Sequence, residues 1–395
     1  MKSKRPVIRL RSREGRRVKA GAPWVFSNEL ALDAAAKALP PGSAIELAAE
    51  DGAPIGAGYF NSKSLIAVRL LGAPQTAFDT PFFVERLKRA LAVREAFFAE
   101  PYYRLVHAEG DRLPGVVIDR FGDTVVVQIT TAGMERFSDE LLAALDDVIA
   151  PACVILRNDT PARALESLDS YVRAAKGQAP APLIVQENGV RYLADPLTGQ
   201  KSGWYYDQRD NRRFVASLAR GKRVLDAYCY SGGFSVLAAF EGAATVTGLD
   251  SSAPALKLAE AAAHENGRGA MCSFRKADIV EELERLAGSG ERFDIVVADP
   301  PPFAPSRKDI EAGARAYRKL ARLAAALVAP GGTLMLASCS YNMGAERFAL
   351  ECAAGLVRAG RTARLIRQAG AGTDHPVHPM LPETAHLKSL TYAVD

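Results

Sequence analysis

The chain has 395 residues, 48% hydrophobic and 24% charged, with 50 Lys or Arg against 45 Asp or Glu. It is therefore long enough for two or three packed cores, and with no run of about 18 apolar residues it contains no candidate membrane span. The basic N-terminus lacks the apolar block of a secretory signal, so a cytoplasmic address is expected. Five cysteines are scattered, odd in number and without C-x-x-C or His pairing, which excludes a disulfide frame and a zinc site as organising features. Cys153, Cys229, Cys272 and Cys352 stand in apolar surroundings and read as small core residues.

Residues 1–20 carry nine Lys or Arg against the single acid Glu14. Such a block is the electrostatic footprint expected for a phosphate backbone, and it is also what a solvated tail looks like. From 6 to 72 the pattern alternates in strand fashion, broken at Pro40-Pro41-Gly42, Asp51-Gly52 and Asn61-Ser62, which predicts a small β-barrel-like module over 1–74. Trp24 and Phe26 fit either an RNA-facing surface or a core, and for Trp24 core packing is the expectation.

A second region, 75–182, opens on a helical pattern and continues into LPGVVIDRFGDTVVVQIT, where two β-branched runs flank Phe121-Gly122-Asp123 as a hairpin. A helix over 136–149 and a strand over 153–156 follow. This block reads as a small α+β domain with no chemistry of its own, ended by the APAPL linker. From 183 to 395 strands at 224–229, 245–250, 272–277, 293–298 and 332–338 alternate with helical stretches, the clearest at 309–328. That predicts a doubly wound parallel sheet, whose ligands sit at the carboxyl ends of its strands.

Every chemistry-bearing residue falls at such an end. RVLDAYCYSGG runs from strand through a glycine turn, Ser231-Gly232-Gly233, into a helix, so that backbone amides can approach a ligand closely. One strand later Asp250 is placed to accept from ribose hydroxyls. Together they point to a nucleoside cofactor, although an ordinary βα turn beside a strand-end Asp has the same pattern. The turn lacks G-x-G-x-x-G, which weakens a dinucleotide oxidoreductase reading. After FDIVVA comes Asp299-Pro300-Pro301-Pro302-Phe303, in which prolines stiffen the backbone behind a carboxylate and Phe303 can stack on a flat base. The strand GGTLMLA then ends in Ser338-Cys339-Ser340, and in a parallel sheet that end opens beside Asp299.

This set, with Lys276-Ala277-Asp278-Ile279, resembles a class I S-adenosylmethionine-dependent methyltransferase with a Rossmann-like sheet. GAPWVFSNEL resembles the start of a PUA domain, which binds structured RNA. LPGVVIDRFGD, GQKSGWYYDQRDNRR and DHPVHPMLPETAHLKSL extend the likeness over nearly the whole chain, to the ribosomal RNA large subunit methyltransferase I family, which makes 5-methylcytosine in 23S rRNA.

The resemblance implies S-adenosylmethionine as cofactor, 23S rRNA as partner and no metal. It implies that Ser231, Gly232 and Gly233 face the methionyl part, with Asp226, Ser251 and Pro300 also against the cofactor. Asp250 would take the ribose and Asp278 the adenine amine, while Gln208 and Arg209 would close over the cofactor, Arg209 pairing with its carboxylate. Tyr205 and Tyr206 are expected to pack. Cys339 would add to C6 of cytosine to make C5 nucleophilic, Asp299 would hold the N3/N4 edge and also touch the cofactor, and Pro301 and Phe303 would line the base site. Pro301 stands where some RNA cytosine-5 methyltransferases carry a second cysteine. Two other readings stay open: methylation of an exocyclic amine such as N2 of guanine with Cys339 idle, and an RNA-binding assembly factor whose methylation is incidental.

Overall fold

A computed structural model describes residues 5–199 and 202–395. The chain divides into two compact units, one of residues 1–180, 196–202 and 373–382 and the other of 181–195, 203–372 and 383–395.

The first unit holds two sheets. Strands β1 (Val7–Leu10), β2 (Trp24–Val25), β3 (Leu30–Ala31), β4 (Ser43–Ala48), β5 (Pro54–Phe60) and β6 (Val68–Gly72) form a barrel-like sheet in the order 2-6-5-4-1-3, with β1 parallel to β4. Its core is Ile8, Leu10, Val25, Leu30, Ile45, Leu47, Phe60 and Val68. Trp24 is only half-buried and its Nε1 donates to Glu109 Oε1 at 3.0 Å, so its ring lies at the margin of the core and not within it. The helix Thr80–Glu95 starts where Asp79 caps Phe82 N at 3.2 Å and Pro81 occupies the first turn. It buries Phe83, Leu87 and Ala90 against the second sheet, β7 (Tyr102–His107), β8 (Val116–Phe121), β9 (Thr124–Ile129), β10 (Cys153–Asn158) and β11 (Tyr171–Lys176), in the order 11-10-9-8-7. The expected hairpin is β8–β9: Phe121 pairs with Thr124 across Gly122, whose φ of 64° the turn requires.

Buried charge in this unit comes in matched sets. Arg94, fully buried, gives Asp111 two hydrogen bonds (2.6 and 2.7 Å) and the Asp374 carbonyl a third at 2.8 Å. Arg104 pairs with Asp119 through two more at 2.8 and 2.9 Å.

In the second unit, β12 (Leu183–Glu187) and β13 (Val190–Ala194) form a hairpin. The main sheet contains β14 (Arg223–Ala227), β15 (Thr245–Asp250), β16 (Cys272–Lys276), β17 (Phe293–Ala298), β18 (Val328–Ser338), β19 (Ala363–Ala369) and β20 (Lys388–Val394), in the order 16-15-14-17-18-20-19. β14 to β18 run parallel to their neighbours in that set as expected, but β20 is antiparallel to both β18 and β19, because the chain returns from the end of the sheet as a closing hairpin. The register Ala227↔Ala298↔Leu336 aligns the carboxyl ends of β14, β17 and β18, which brings the loops after them to one edge. Helix Ile310–Ala326 buries Ala314, Tyr317, Leu320, Leu323 and Ala324 on one stripe against this sheet. Among the described residues no helix is long and apolar enough to cross a membrane, and no group of three or more His, Cys, Asp or Glu could hold a metal ion.

Candidate active site

β14 ends at Ala227, two residues earlier than the alternation predicts, because the chain turns at once: Tyr228, Tyr230 and Gly232 have φ of 67°, 49° and 83°. Gly232 N donates to the Cys229 carbonyl at 2.8 Å. A Cβ on Gly232 would lie 2.9 Å from the Ala259 Cβ, and one on Gly233 would lie 3.0 Å from Arg212 Cδ, so only glycine closes this turn. Asp226 anchors the helix beyond it, Gly233–Phe240. Its Oδ2 accepts from Ser235 N at 3.0 Å and Ser235 Oγ at 2.6 Å, which fixes the first helical turn. Burial pushes its carboxyl up to about 6.

Asp250, at the end of β15, accepts from Tyr230 N at 2.9 Å and Ser252 N at 2.8 Å. Each oxygen thus keeps one lone pair for a ligand while the carboxylate ties the glycine turn to the next loop. Ser251 is exposed, and it is Ser252 that caps helix Ala253–Glu265. Asp278 is exposed and caps helix Ile279–Gly288 through Glu281 N at 3.1 Å. The charges of Asp278 and Asp250 both act on Tyr228, whose phenol burial chiefly pushes up to about 12.

Gln208 and Arg209, both buried, begin helix Arg209–Ser217. Arg209 sits 5.1 Å over the Tyr206 ring and 3.8 Å from Glu187, a carboxylate that also takes two hydrogen bonds from Arg212 (2.6 and 2.9 Å) and one from Trp204 Nε1 at 3.2 Å. Gln208 Nε2, Ser231 Oγ and Asp226 Oδ1 are buried polar atoms with no hydrogen-bond partner among the described residues. Two can donate and one accepts, the complement of a carboxylate and an ammonium, so the turn fits the amino-acid end of S-adenosylmethionine.

At the neighbouring strand ends Asp299 is half-buried, Pro300 is buried and Pro301 exposed. Phe303 has its ring 4.8 Å from that of Tyr317. Tyr317 holds this loop to the next: its hydroxyl accepts from Phe303 N (3.4 Å) and Ser338 Oγ (2.9 Å) and lies 2.8 Å from Ser340 Oγ, which in turn accepts from Ala304 N at 3.2 Å. Cys339 Sγ is 4.0 Å from the Pro300 carbonyl, so the thiol lies against the DPP loop.

Two residues near the thiol carry no signal in the local sequence. Tyr205, expected to pack like the fully buried Tyr206, stacks edge-on to Tyr230 at 5.3 Å and feels the charges of both Cys339 and Asp299. Lys388, opposite Ser338 in the register, donates to the Ser340 carbonyl at 2.6 Å. Its place follows from the pairing of strands fifty residues apart, which no short motif encodes. Of the expected site residues, then, Asp226, Ser231, Gly232, Gly233 and Asp250 gather at one turn and Asp299, Pro300 and Cys339 at the next, while Ser251, Asp278 and Pro301 are exposed.

The family model for S-adenosylmethionine-dependent methyltransferases matches residues 167–391 and that for PUA-like domains residues 8–72. The chain is 35% identical to ribosomal RNA large subunit methyltransferase I of Shewanella denitrificans over 98% of its own length and all of the relative, and 36% identical to that of Shewanella amazonensis over 94% and 95%. A solved Streptococcus mutans chain named for S-adenosylmethionine-dependent methyl transfer superposes with TM-score 0.83 at 21% identity, covering 98% of this chain and 99% of that one. A second solved methyltransferase, complexed with SAH, superposes at TM-score 0.84 and 21% identity over 99% and 100%. The structures share the fold and the two Shewanella sequences nearly the whole length, so the chain belongs to the ribosomal RNA large subunit methyltransferase I family of S-adenosylmethionine-dependent methyltransferases.

Proposed function

We propose that the protein methylates C5 of a cytosine in 23S rRNA, in the cytoplasm, through a covalent bond between Cys339 Sγ and C6 of the base. The observation that carries this is the thiol itself: a half-buried cysteine 4.0 Å from the carbonyl of Pro300, on the loop that presents Asp299. C5 of cytosine is a weak nucleophile because its electrons are spread into the ring. A Cys339 thiolate adding to C6 concentrates them on C5, while Asp299 at the N3/N4 edge stabilises the charge that develops there. Bound S-adenosylmethionine supplies the electrophilic methyl group. Around it, Gln208, Arg209 and Ser231 hold the carboxylate, Asp226 the ammonium, Asp250 the ribose and Asp278 the adenine amine; Gly232 and Gly233 leave room for the methionyl chain, with Ser251 and Pro300 beside it. Pro301 and Phe303 flank the base, which must leave its stack at a cost of about a few kcal/mol. The PUA-like sheet and its basic strand offer the phosphate contacts for that task.

The reading is tested by trapping. On RNA containing 5-fluorocytidine the C5 substituent cannot leave as a proton, so the enzyme should stay attached to RNA in the presence of S-adenosylmethionine, and peptide mapping should place the bond on Cys339. Methyl transfer without a trapped adduct, and with methylated guanine as product, points instead to amine methylation with the thiol idle.

A further inference from the structure

We infer that Lys388 is the partner of the Cys339 thiolate: a positioning residue that takes the thiol proton and holds the resulting anion, acting through the nucleophile and not on the base. The inference rests on the covalent reading of Cys339 given above.

Lys388 opens β20 directly across from Ser338, the last residue of β18, so its side chain leaves the sheet at the edge where Cys339 begins the next loop. The ammonium is half-buried, and among the described residues it has a single hydrogen-bond acceptor, the Ser340 carbonyl at 2.6 Å. An ammonium has three donors, so two remain. Burial pulls Lys388 down to about 8, and the one ionisable group that pulls it back is Cys339. A lysine near 8 lies close to the ordinary range of a thiol, about 8.5, and a proton passes between groups so matched at little cost. The other titratable groups that feel the thiol's charge are Tyr205, before the short turn Tyr206–Gln208, on which Asp299 from the loop after β17 also acts, and Tyr317 of helix Ile310–Ala326. On its own chain segment Lys388 follows His386, whose Nε2 is 3.0 Å from Asp207 Oδ2 and whose ring stacks on Tyr341 at 5.5 Å. With Asp299 nearby, a thiolate lacking a cation would be disfavoured, and Lys388 supplies that cation.

The step balances. The S–H bond of Cys339 breaks and its proton goes to the neutral Lys388 amine, giving thiolate and ammonium. The sulfur electron pair forms the bond to C6 and frees the C5=C6 pair at C5, with which C5 would take the methyl group from S-adenosylmethionine, the broken C–S pair staying on the cofactor's sulfur. Loss of the C5 proton to solvent then expels sulfur with its electron pair, and the waiting ammonium stabilises the departing thiolate again.

The test is the pH profile of Cys339 alkylation by iodoacetamide, read on the Cys339 peptide, in wild type, Lys388→Met, Lys388→Gln and Lys388→Arg. Gln keeps a donor for the Ser340 carbonyl without the charge, and Arg keeps the charge. Met and Gln should each raise the pH of half-maximal alkylation by about one unit, slowing the reaction near neutrality about tenfold, whereas Arg should hold the wild-type midpoint. Methyl transfer by the Gln variant should show its pH optimum displaced upward by the same amount, with KM for RNA unchanged. An unmoved alkylation midpoint in the Gln variant overturns the pairing even if turnover falls, since a merely structural lysine would do that. A midpoint that moves while Cys339→Ala still makes 5-methylcytosine instead sinks the covalent reading, and with it any catalytic use of the pair.

Discussion

The enclosed ion pairs of the first unit and the sheet edge around the glycine turn of the second treat buried polar groups differently. In the first, guanidinium groups are enclosed with carboxylates to match: Arg94 with Asp111, Arg104 with Asp119, and Arg69 with Glu166 at 2.9 Å. In the second, Gln208 Nε2, Ser231 Oγ and Asp226 Oδ1 stay unpartnered among the described residues at one edge of the sheet. Because an unsatisfied buried polar atom costs about 1–3 kcal/mol, a cluster of them at a glycine turn marks a place kept for a ligand, whereas a matched set marks architecture. Substitutions in the first unit should thus lower stability, and those at the turn should lower cofactor affinity.

The largest effect should come from breaking a matched set. Arg94→Met leaves Asp111 without its two guanidinium bonds and should destabilise the protein by ~3–5 kcal/mol in chemical denaturation, without changing S-adenosylmethionine affinity measured on the folded fraction. Asp226 comes next and gives the contrast a pH signature. Its folded pKa, about 6, lies above the ordinary 3.8 of an unfolded aspartate, so its contribution to stability is fully present below that value and is lost as the pH rises through about 6. Asp226→Asn should therefore be more stable than wild type at pH 8 by ~1–2 kcal/mol and no more stable at pH 4, while binding the cofactor more weakly in calorimetry. A variant less stable than wild type at both pH values would place Asp226 with the architectural charges. Ser231→Ala, which removes an unpartnered hydroxyl, should leave the denaturation midpoint within ~0.5 kcal/mol and weaken S-adenosylmethionine about fivefold, or ~1 kcal/mol. Smallest, replacing the exposed Arg13, Arg16 and Lys19 by Ala should leave fold and cofactor binding intact and flatten the salt dependence of RNA binding by ~0.7–0.9 in log–log slope for each phosphate no longer neutralised.

Much of the second unit can be read from the chain because its signals are local. Strand 293–298 is a largely apolar run, strand 245–250 opens on the β-branched Thr245-Val246-Thr247, and DPPP can only follow a strand that has ended, so Asp250 and Asp299 fall where the alternation puts them. The early end of β14 is not legible, since Tyr228 and Cys229 look like strand residues and the left-handed backbone at Tyr228 is imposed by the turn that Asp250 holds. Tyr205 and Lys388 are hidden for a different reason. Their meaning lies in the groups they face, and that is decided by an antiparallel return strand and by a turn more than a hundred residues from Cys339. The same is true of Arg94, whose partners come from residues 111 and 374.

The proposed mechanism stands or falls on a bond between Cys339 and the base. It is read most plainly from methyl transfer by wild type and Cys339→Ala, using labelled S-adenosylmethionine and unmodified 23S rRNA, with nucleoside analysis of the product. The wild type should make 5-methylcytosine and the variant none, although the variant still binds the cofactor. Methyl transfer that survives in Cys339→Ala, or a wild-type product that is a methylated guanine, would refute the covalent mechanism.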